Sequence, residues 1–232
     1  MLTNPAALRV LCYGDSNTFG CPSEEVGLRR WPVDVRWTGQ LQTLLGAGYD
    51  VIEEGMGGRT TAVDHADPDR PGRNGLNYLL PCVRSHNPLD VVVVMLGTND
   101  VKIEFRQSPA EIASALDRYV DVIETEAASQ DGGPPAVLLI SPTPVDDTRP
   151  DFARVCGDLY DSTSAAASRR IAEQLRAVAS RRGVAYADAA SVASVGGDGV
   201  HLARDAHRAL AALLAEEIRA LSAARTRARI GH

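Results

Sequence analysis

The feature that most constrains the fold is the run Asp-Val-Val-Val-Val-Met-Leu, from Asp90 to Leu96, which is apolar at every position after Asp90. β-branched residues favour strands, and a strand that is apolar at every position must bury both of its faces. Strands of this kind occur in parallel sheets that helices cover on both sides. The run therefore predicts an interior strand of a parallel α/β sheet.

Four other short apolar runs predict further strands, and segments with helical spacing separate them. The predicted strands are Leu8–Tyr13, Asp50–Glu54, Asp90–Leu96, Ala136–Ile140 and Val184–Ala187. The predicted helices are Trp37–Leu45, Leu76–Val83, Pro109–Ala128, Ser164–Arg182 and Arg204–Ala224. Strand and helix alternate without a break in composition, which favours one α/β domain with helices on both faces of a five-stranded parallel sheet. We assign residues 1–232 to this domain, with a core of about 8–221 and a short tail at 222–232.

Composition excludes several classes of protein. The chain has 24 Lys and Arg residues against 30 Asp and Glu residues, a net charge of −6, which argues against a nucleic acid as the main partner. No apolar run approaches the roughly 20 residues of a membrane-spanning helix, and residues 1–8 lack the pattern of a secretory signal. The cysteines are scattered, at Cys12, Cys21, Cys82 and Cys156, and match no zinc pattern. We therefore expect a cytoplasmic protein with free thiols, no membrane partner, and no metal or other cofactor.

Polar and glycine-rich stretches follow four of the predicted strands. These stretches are Gly14–Thr18, Gly55–Thr60, Gly97–Asp100 and Asp198–His201, the last of which is expected to open the final helix. In an open parallel sheet, ligands bind at the carboxyl ends of the strands. We therefore expect the four stretches to meet at one edge of the sheet and to form the functional site.

The residues in these stretches suit acyl transfer to a serine. A serine hydroxyl needs a base to remove its proton, and the base needs a carboxylate on its far nitrogen. This chemistry assigns Ser16 as the nucleophile, His201 as the base and Asp198 as the orienting carboxylate. The tetrahedral oxyanion needs preorganised donors, for which the candidates are the backbone N–H groups of Ser16 and Gly58 and the side-chain amide of Asn99.

The four stretches together resemble the sequence blocks of the SGNH (GDSL-type) hydrolases. The matching positions are Gly14-Asp15-Ser16, Gly58 within Gly55-x-x-Gly58-x-Thr60, Gly97-x-Asn99-Asp100 and Asp198-x-x-His201. The resemblance extends from Leu8 to Leu221 and implies a flavodoxin-like, three-layer α/β/α fold that carries a serine esterase. No G-x-S-x-G elbow surrounds Ser16, which disfavours the α/β-hydrolase fold.

Several segments look like the arylesterase/acyltransferase branch of that family. They are Trp31–Gly39, Glu53–Gly55, Arg59–Thr61, Asn74-Gly75 and Met95–Asp100. The likeness implies a cytoplasmic homo-oligomer that acts on small esters and transfers acyl groups to alcohols. Trp31, in a loop bounded by proline, is a candidate for lining the substrate pocket or a subunit interface.

Alternatives remain for the function and for single residues. The same triad also suits a carbohydrate O-acetyl esterase, and a catalytically silent binding protein is a more distant alternative. Ser16 and Asp198 could be helix caps, and Asn99 could be a turn residue. Asp15 and Asp100 are expected to hold loop backbone N–H groups.

Other polar residues have plain structural interpretations. We expect Arg36 to pair with an acid, Trp37 to pack its helix, and His207 to be a surface or packing residue. The segment Asp64–Asp69 lacks metal-site spacing and is interpreted as a solvated acidic loop.

Overall fold

The computed structural model describes residues 4–23 and 29–230, with side chains described as far as residue 227. Its five strands are β1 (Leu8–Gly14), β2 (Tyr49–Gly55), β3 (Val91–Met95), β4 (Ala136–Ser141) and β5 (Ala185–Asp188). They form one sheet in the order β2-β1-β3-β4-β5, and every neighbouring pair is parallel. The predicted five-stranded parallel sheet is therefore confirmed, with β3 at its centre.

Helices lie between successive strands, and a last helix follows β5. They are α1 (Ser16–Phe19), α2 (Trp37–Leu45), α3 (Gly75–His86), α4 (Pro109–Glu126), α5 (Phe152–Val155), α6 (Ser162–Ser168), α7 (Ile171–Arg182) and α8 (Ala206–Ile230). The start of α4 follows from its sequence, because Ser108 and Glu111 form a reciprocal capping box around Pro109.

The strand β3 separates two apolar cores. The side chains of Val92 and Val94 enter a core on one face, together with residues of α3, α4 and α7. Those of Val91 and Val93 enter the core on the other face, with residues of α2 and α8. The alternation of side chains along a strand sends successive valines to opposite faces. The continuous apolar run therefore supports a helix layer on each side, which gives the expected α/β/α architecture.

The segment predicted as one helix from Ser164 to Arg182 is two helices. Asp161 caps α6 by accepting a hydrogen bond from the Ser164 N–H at 2.9 Å. At the end of α6 the hydroxyl of Ser168 accepts a hydrogen bond from the Val145 N–H at 2.9 Å. The helix breaks there, and α7 begins at Ile171. This contact with the distant segment at Val145 has no signature in the local helical pattern.

The last helix differs from its prediction at both ends. It begins at Ala206, because Ala203 still donates to the Ser194 carbonyl at 3.0 Å and Leu202 forms an isolated bridge with Val195. It continues to Ile230, through most of the segment predicted as a tail. Within residues 4–23 and 29–230, neither this helix nor any other is long and apolar enough to cross a membrane.

Candidate active site

Ser16 is the first residue of α1 and lies directly after the carboxyl end of β1. The N-cap position belongs to Asp15, whose carboxylate accepts a hydrogen bond from the Asn17 N–H at 2.9 Å. The alternative interpretation of Ser16 as the N-cap is therefore wrong, and its hydroxyl has no capping role. Ser16 is 6% exposed. The helix α1 packs so closely on β2 that a Cβ built on Gly55 would lie 2.2 Å from the Phe19 backbone nitrogen.

Asp198 and His201 form a hydrogen-bonded pair. The His201 Nδ1 lies 2.6 Å from Asp198 Oδ2, while Asp198 Oδ1 accepts from the backbone N–H groups of Val200 and His201, each at 2.9 Å. Asp198 is buried and the His201 side chain is 21% exposed. A carboxylate accepts, so the proton lies on Nδ1 and the Nε2 lone pair is left free to act as a base.

The segment around this pair is a turn and not the start of a helix. Gly199 has a φ of +74°, which glycine adopts without strain, and α8 begins only at Ala206. The expectation that this segment opens the last helix is therefore wrong. Asp198 stabilises the turn by accepting from the N–H groups two and three residues ahead, and it caps no helix.

Asn17 ties the turn to the helix that carries Ser16. Its Oδ1 accepts from the Leu202 N–H at 2.9 Å, and its Nδ2 donates to the Val200 carbonyl at 3.3 Å. The two residues that flank His201 are thus both bonded to the residue after Ser16. In the sequence, only its place next to Ser16 marks Asn17 as a residue of the site.

Asn99 joins the turns that follow β1 and β2. Its Nδ2 donates to the Arg59 carbonyl at 3.0 Å and lies 3.4 Å from Asp15 Oδ2, while the Tyr160 hydroxyl lies 3.4 Å from its Oδ1. Gly58, which precedes Arg59, has a φ of +79°. The Asn99 amide therefore lies beside both the Gly58 turn and the start of α1. The 3.4 Å contact is long for a hydrogen bond, so one amide N–H is only weakly engaged.

His65 holds the carbonyl of Gly58. Its Nε2 donates to the Gly58 oxygen at 2.8 Å, and its side chain is fully buried against the ring of Phe105, with centroids 4.8 Å apart. The segment Asp64–Asp69 is otherwise exposed, as expected of a solvated loop, but His65 points inward. Nothing in the sequence distinguished this histidine, because its partners are distant along the chain or are backbone atoms.

Two buried aspartates have the structural role expected of them. Asp100 accepts from the Thr61 N–H at 2.9 Å and from the Thr61 hydroxyl at 2.6 Å, which ties the loop after β3 to the turn after β2. Asp15 holds the start of α1. Burial raises the pKa of both carboxyl groups to about 6.

The remaining candidates have structural contacts. Arg36 forms an ion pair with Glu53 at 2.6 Å, as predicted. Trp37 is fully buried, and its backbone N–H donates to His207 Nδ1 at 3.2 Å, so His207 is a packing residue and not a surface one. Trp31 is 3% exposed, and its backbone N–H donates to the Gly20 carbonyl at 2.7 Å, beside the end of α1.

One group of side chains within the described ranges could hold a metal ion. Glu54, Cys82 and His86 have ligand atoms within 4.8 Å of one another. His86 Nε2 lies 2.8 Å from Glu54 Oε1, which is an ordinary side-chain hydrogen bond. Burial, with a smaller contribution from the charge of Glu54, raises the pKa of the Cys82 thiol to about 12. The thiol is therefore protonated at neutral pH, and none of the three residues belongs to the predicted triad.

Comparison with known proteins places the chain in a family. The sequence model of the GDSL-like lipase/acylhydrolase family matches residues 12–209. Among solved structures, the aryl esterase of M. smegmatis is 39% identical, covers 93% of this chain and 100% of its own, and superposes with a TM-score of 0.82. Est24, a carbohydrate acetylesterase from Sinorhizobium meliloti, is 34% identical over 92% of this chain and 99% of its own, also with a TM-score of 0.82.

A curated relative gives a partial match. The acetylxylan esterase of Xylanibacter ruminicola is 31% identical over 155 residues, which is 60% of this chain but only 29% of the length of that protein. The family match extends over all four sequence blocks and most of the sheet. The chain therefore belongs to the GDSL-like lipase/acylhydrolase family and is an SGNH-type carboxylic ester hydrolase.

Proposed function

We propose that this chain is a single-domain serine esterase that hydrolyses short-chain or aryl carboxylic esters through an acyl-enzyme on Ser16. The observation that carries the proposal is the Asp198–His201 pair, at 2.6 Å, in a turn that Asn17 ties to the helix of Ser16. Asp198 holds the proton on Nδ1 and stabilises the imidazolium that forms when Nε2 accepts a proton.

The proposed reaction has two steps. His201 takes the proton from the Ser16 hydroxyl as Oγ attacks the ester carbonyl carbon. The backbone N–H groups of Ser16 and Gly58 and the Asn99 amide stabilise the oxyanion. The C–O bond of the alcohol then breaks, and the alcohol leaves with the proton from His201. In the second step His201 takes a proton from water as the water oxygen attacks the acyl carbon. The bond between that carbon and Ser16 Oγ then breaks, His201 returns the proton to Ser16, and the carboxylic acid leaves.

The test is release of nitrophenol from a series of short-chain nitrophenyl esters. We expect Ser16→Ala and His201→Ala to abolish turnover with the fold retained, and Asn99→Ala to lower kcat about a hundredfold, because one oxyanion donor is lost. Circular dichroism of each variant controls for folding. Full activity in either triad variant would refute the assignment.

A carbohydrate O-acetyl esterase is the second candidate. It is supported by the likeness to Est24 and to the acetylxylan esterase, which carry that kind of activity in their names. Acetylated sugars and aryl acetates, compared at equal concentration, distinguish the two. Turnover of neither by the wild type would favour the silent binding protein.

Finer properties follow from the resemblance to the arylesterase/acyltransferase branch. We expect acyl transfer to an added alcohol, detected as the new ester product. We also expect a homo-oligomer; a molar mass near that of one chain, 24.7 kDa, measured by light scattering, would contradict it. A cytoplasmic location is supported by the four cysteines, all of which are free thiols. Trp31 is expected to border the pocket, so Trp31→Ala should alter the chain-length profile without abolishing turnover.

A further inference from the structure

The side chain of Arg73 lies against the Gly58 turn and forms no ion pair with any residue that the structure describes. A Cβ built on Gly58 would lie 3.1 Å from Arg73 Cδ and 3.2 Å from its Nε. The Arg73 carbonyl accepts from the Thr60 N–H at 2.9 Å, which fixes the residue beside the turn. Its Nε and Nη1 are buried and have no hydrogen-bond partner in the described part of the chain. An unpaired guanidinium beside a proposed oxyanion donor requires an explanation.

Lys102 is a second cation without a carboxylate partner, on the side of Asn99. It is 5% exposed, and its backbone N–H donates to the Asn99 carbonyl at 3.2 Å. Its Nζ lies 5.7 Å from the centre of the Tyr160 ring, whose hydroxyl is 3.4 Å from the Asn99 amide oxygen. No salt bridge of Lys102 is found among the described residues. Burial, with the added charges of Arg70 and Arg73, lowers its pKa.

No acid in the described part of the chain forms an ion pair with either cation, and the acids act on them only over a longer distance. The charges of Asp15 and Glu104 raise the pKa of Lys102 and that of Asp67 raises the pKa of Arg73, but in both cases the opposing effect of burial is larger. Asp15 accepts from the Asn17 N–H, and Glu104 lies 3.9 Å from His65 Nδ1 with more than a third of its side chain exposed. Arg70, the third cation of the region, is paired with Asp67 at 3.3 Å. Buried cations are costly unless paired. Among the described residues, the buried Lys102 and the half-buried Arg73 therefore have no ion-pair partner, and an anionic group of a ligand can supply one.

We propose that Arg73 and Lys102 form a subsite for a carboxylate on the substrate, so that this enzyme acts on acidic esters. Half-esters of dicarboxylic acids and O-acetylated hydroxy or uronic acids carry such a group. The planar guanidinium can bind a carboxylate through two parallel hydrogen bonds, and the ammonium adds a point charge. The proposal rests on the proposed function, because it places the subsite next to the Gly58 and Asn99 donors.

The test compares esters that differ only in charge. One pair places the charge on the acyl group: the nitrophenyl half-ester of succinic acid and its methyl ester. The other places it on the alcohol: 4-acetoxybenzoate and 4-acetoxybenzamide. From the usual strength of a hydrogen bond to a charged group, we expect the wild type to prefer the anionic member of at least one pair. The expected preference is about ten- to a hundredfold in kcat/KM. The pair that shows the preference identifies the side on which the carboxylate binds.

Variants tie the preference to the two cations. Arg73→Gln and Lys102→Met should each reduce the ratio of anionic to neutral kcat/KM at least about fivefold, because a buried charge-assisted bond is lost. Arg70→Gln is the matched control, since it removes a nearby arginine that already has a partner, and should keep the wild-type ratio. A wild-type ratio near one in both pairs would overturn the proposal, as would unchanged ratios in Arg73→Gln and Lys102→Met.

The failure of the proposed function gives a different result. If Ser16→Ala retained the turnover of the neutral esters, or if the wild type hydrolysed none of the four, the esterase assignment to Ser16 would fail. Calorimetric titration with benzoate tests the subsite independently of catalysis. Benzoate binding that is weakened at least about fivefold in Arg73→Gln supports the subsite, and equal or absent binding in both proteins refutes it.

Discussion

The bonds of Asn17 give the most specific test of how the site is assembled. Asn17 is 2% exposed, and its amide satisfies the Leu202 N–H at 2.9 Å and the Val200 carbonyl at 3.3 Å. In Asn17→Ala both backbone groups lose their partner. A buried unsatisfied group costs about 1–3 kcal/mol, and the longer bond contributes less, so we expect a loss of about 2–4 kcal/mol in the free energy of unfolding.

Activity should fall for a separate reason. His201 lies between the two residues that Asn17 holds, so the substitution frees the turn that positions the base relative to Ser16. A displacement of a reacting group by about 1 Å can cost about a hundredfold in rate, and we expect kcat to fall at least tenfold while KM changes little. Kinetics with a nitrophenyl ester, measured well below the unfolding transition, separate this effect from instability.

Urea unfolding measures the stability change, with Asn77→Ala as the matched control. Asn77 is exposed on α3 and its side chain makes no hydrogen bond among the described residues, so its loss should stay within about 0.5 kcal/mol. The reasoning would be refuted if Asn17→Ala matched this control in both stability and kcat.

Three further predictions concern single residues around the site. Burial and then the charge of His201 lower the pKa of His207 to about 4, below the ordinary 6.5, so its contribution to stability is present above pH 6.5 and is lost as the pH falls towards 4. The test is the difference in the free energy of unfolding between the wild type and His207→Gln, measured with urea. This difference should be about 2–3 kcal/mol greater at about pH 7 than at about pH 4.5, and the same difference at the two pH values would contradict the prediction. His65→Phe removes the hydrogen bond to the Gly58 carbonyl and should lower kcat about tenfold with KM little changed. His65→Gln can still donate to that carbonyl and should recover part of the lost kcat. Equal kcat in both variants would count against a positioning role. Gly55→Ala places a methyl group 2.2 Å from a backbone nitrogen of α1 and should lower the free energy of unfolding by about 1–3 kcal/mol, measured by urea unfolding. An unchanged free energy of unfolding would mean that α1 shifts freely.

The sequence alone determined the sheet and most of the proposed site. The run from Asp90 to Leu96 needs burial on both faces, and the structure places its valines alternately in two cores. The four polar stretches each follow a strand, and the carboxyl ends of parallel strands lie along one edge, so their convergence could be predicted without any long-range contact. Asp198 and His201 are only three positions apart in the chain, and the geometry of the pair is local for that reason.

Only the tertiary structure decided the features that depend on residues far apart in the chain. The bonds of Asn17 to residues 200 and 202 join opposite ends of the sequence, and His65 and Arg73 reach the Gly58 turn by the course of a loop without periodicity. The bond between Ser168 and the Val145 N–H, at the break before α7, likewise joins residues 23 apart. Hydrophobic periodicity reports which face of an element is buried, but it carries no information on which distant polar group a side chain will meet. Those partners exist only once the apolar cores have formed and fixed the loops above them.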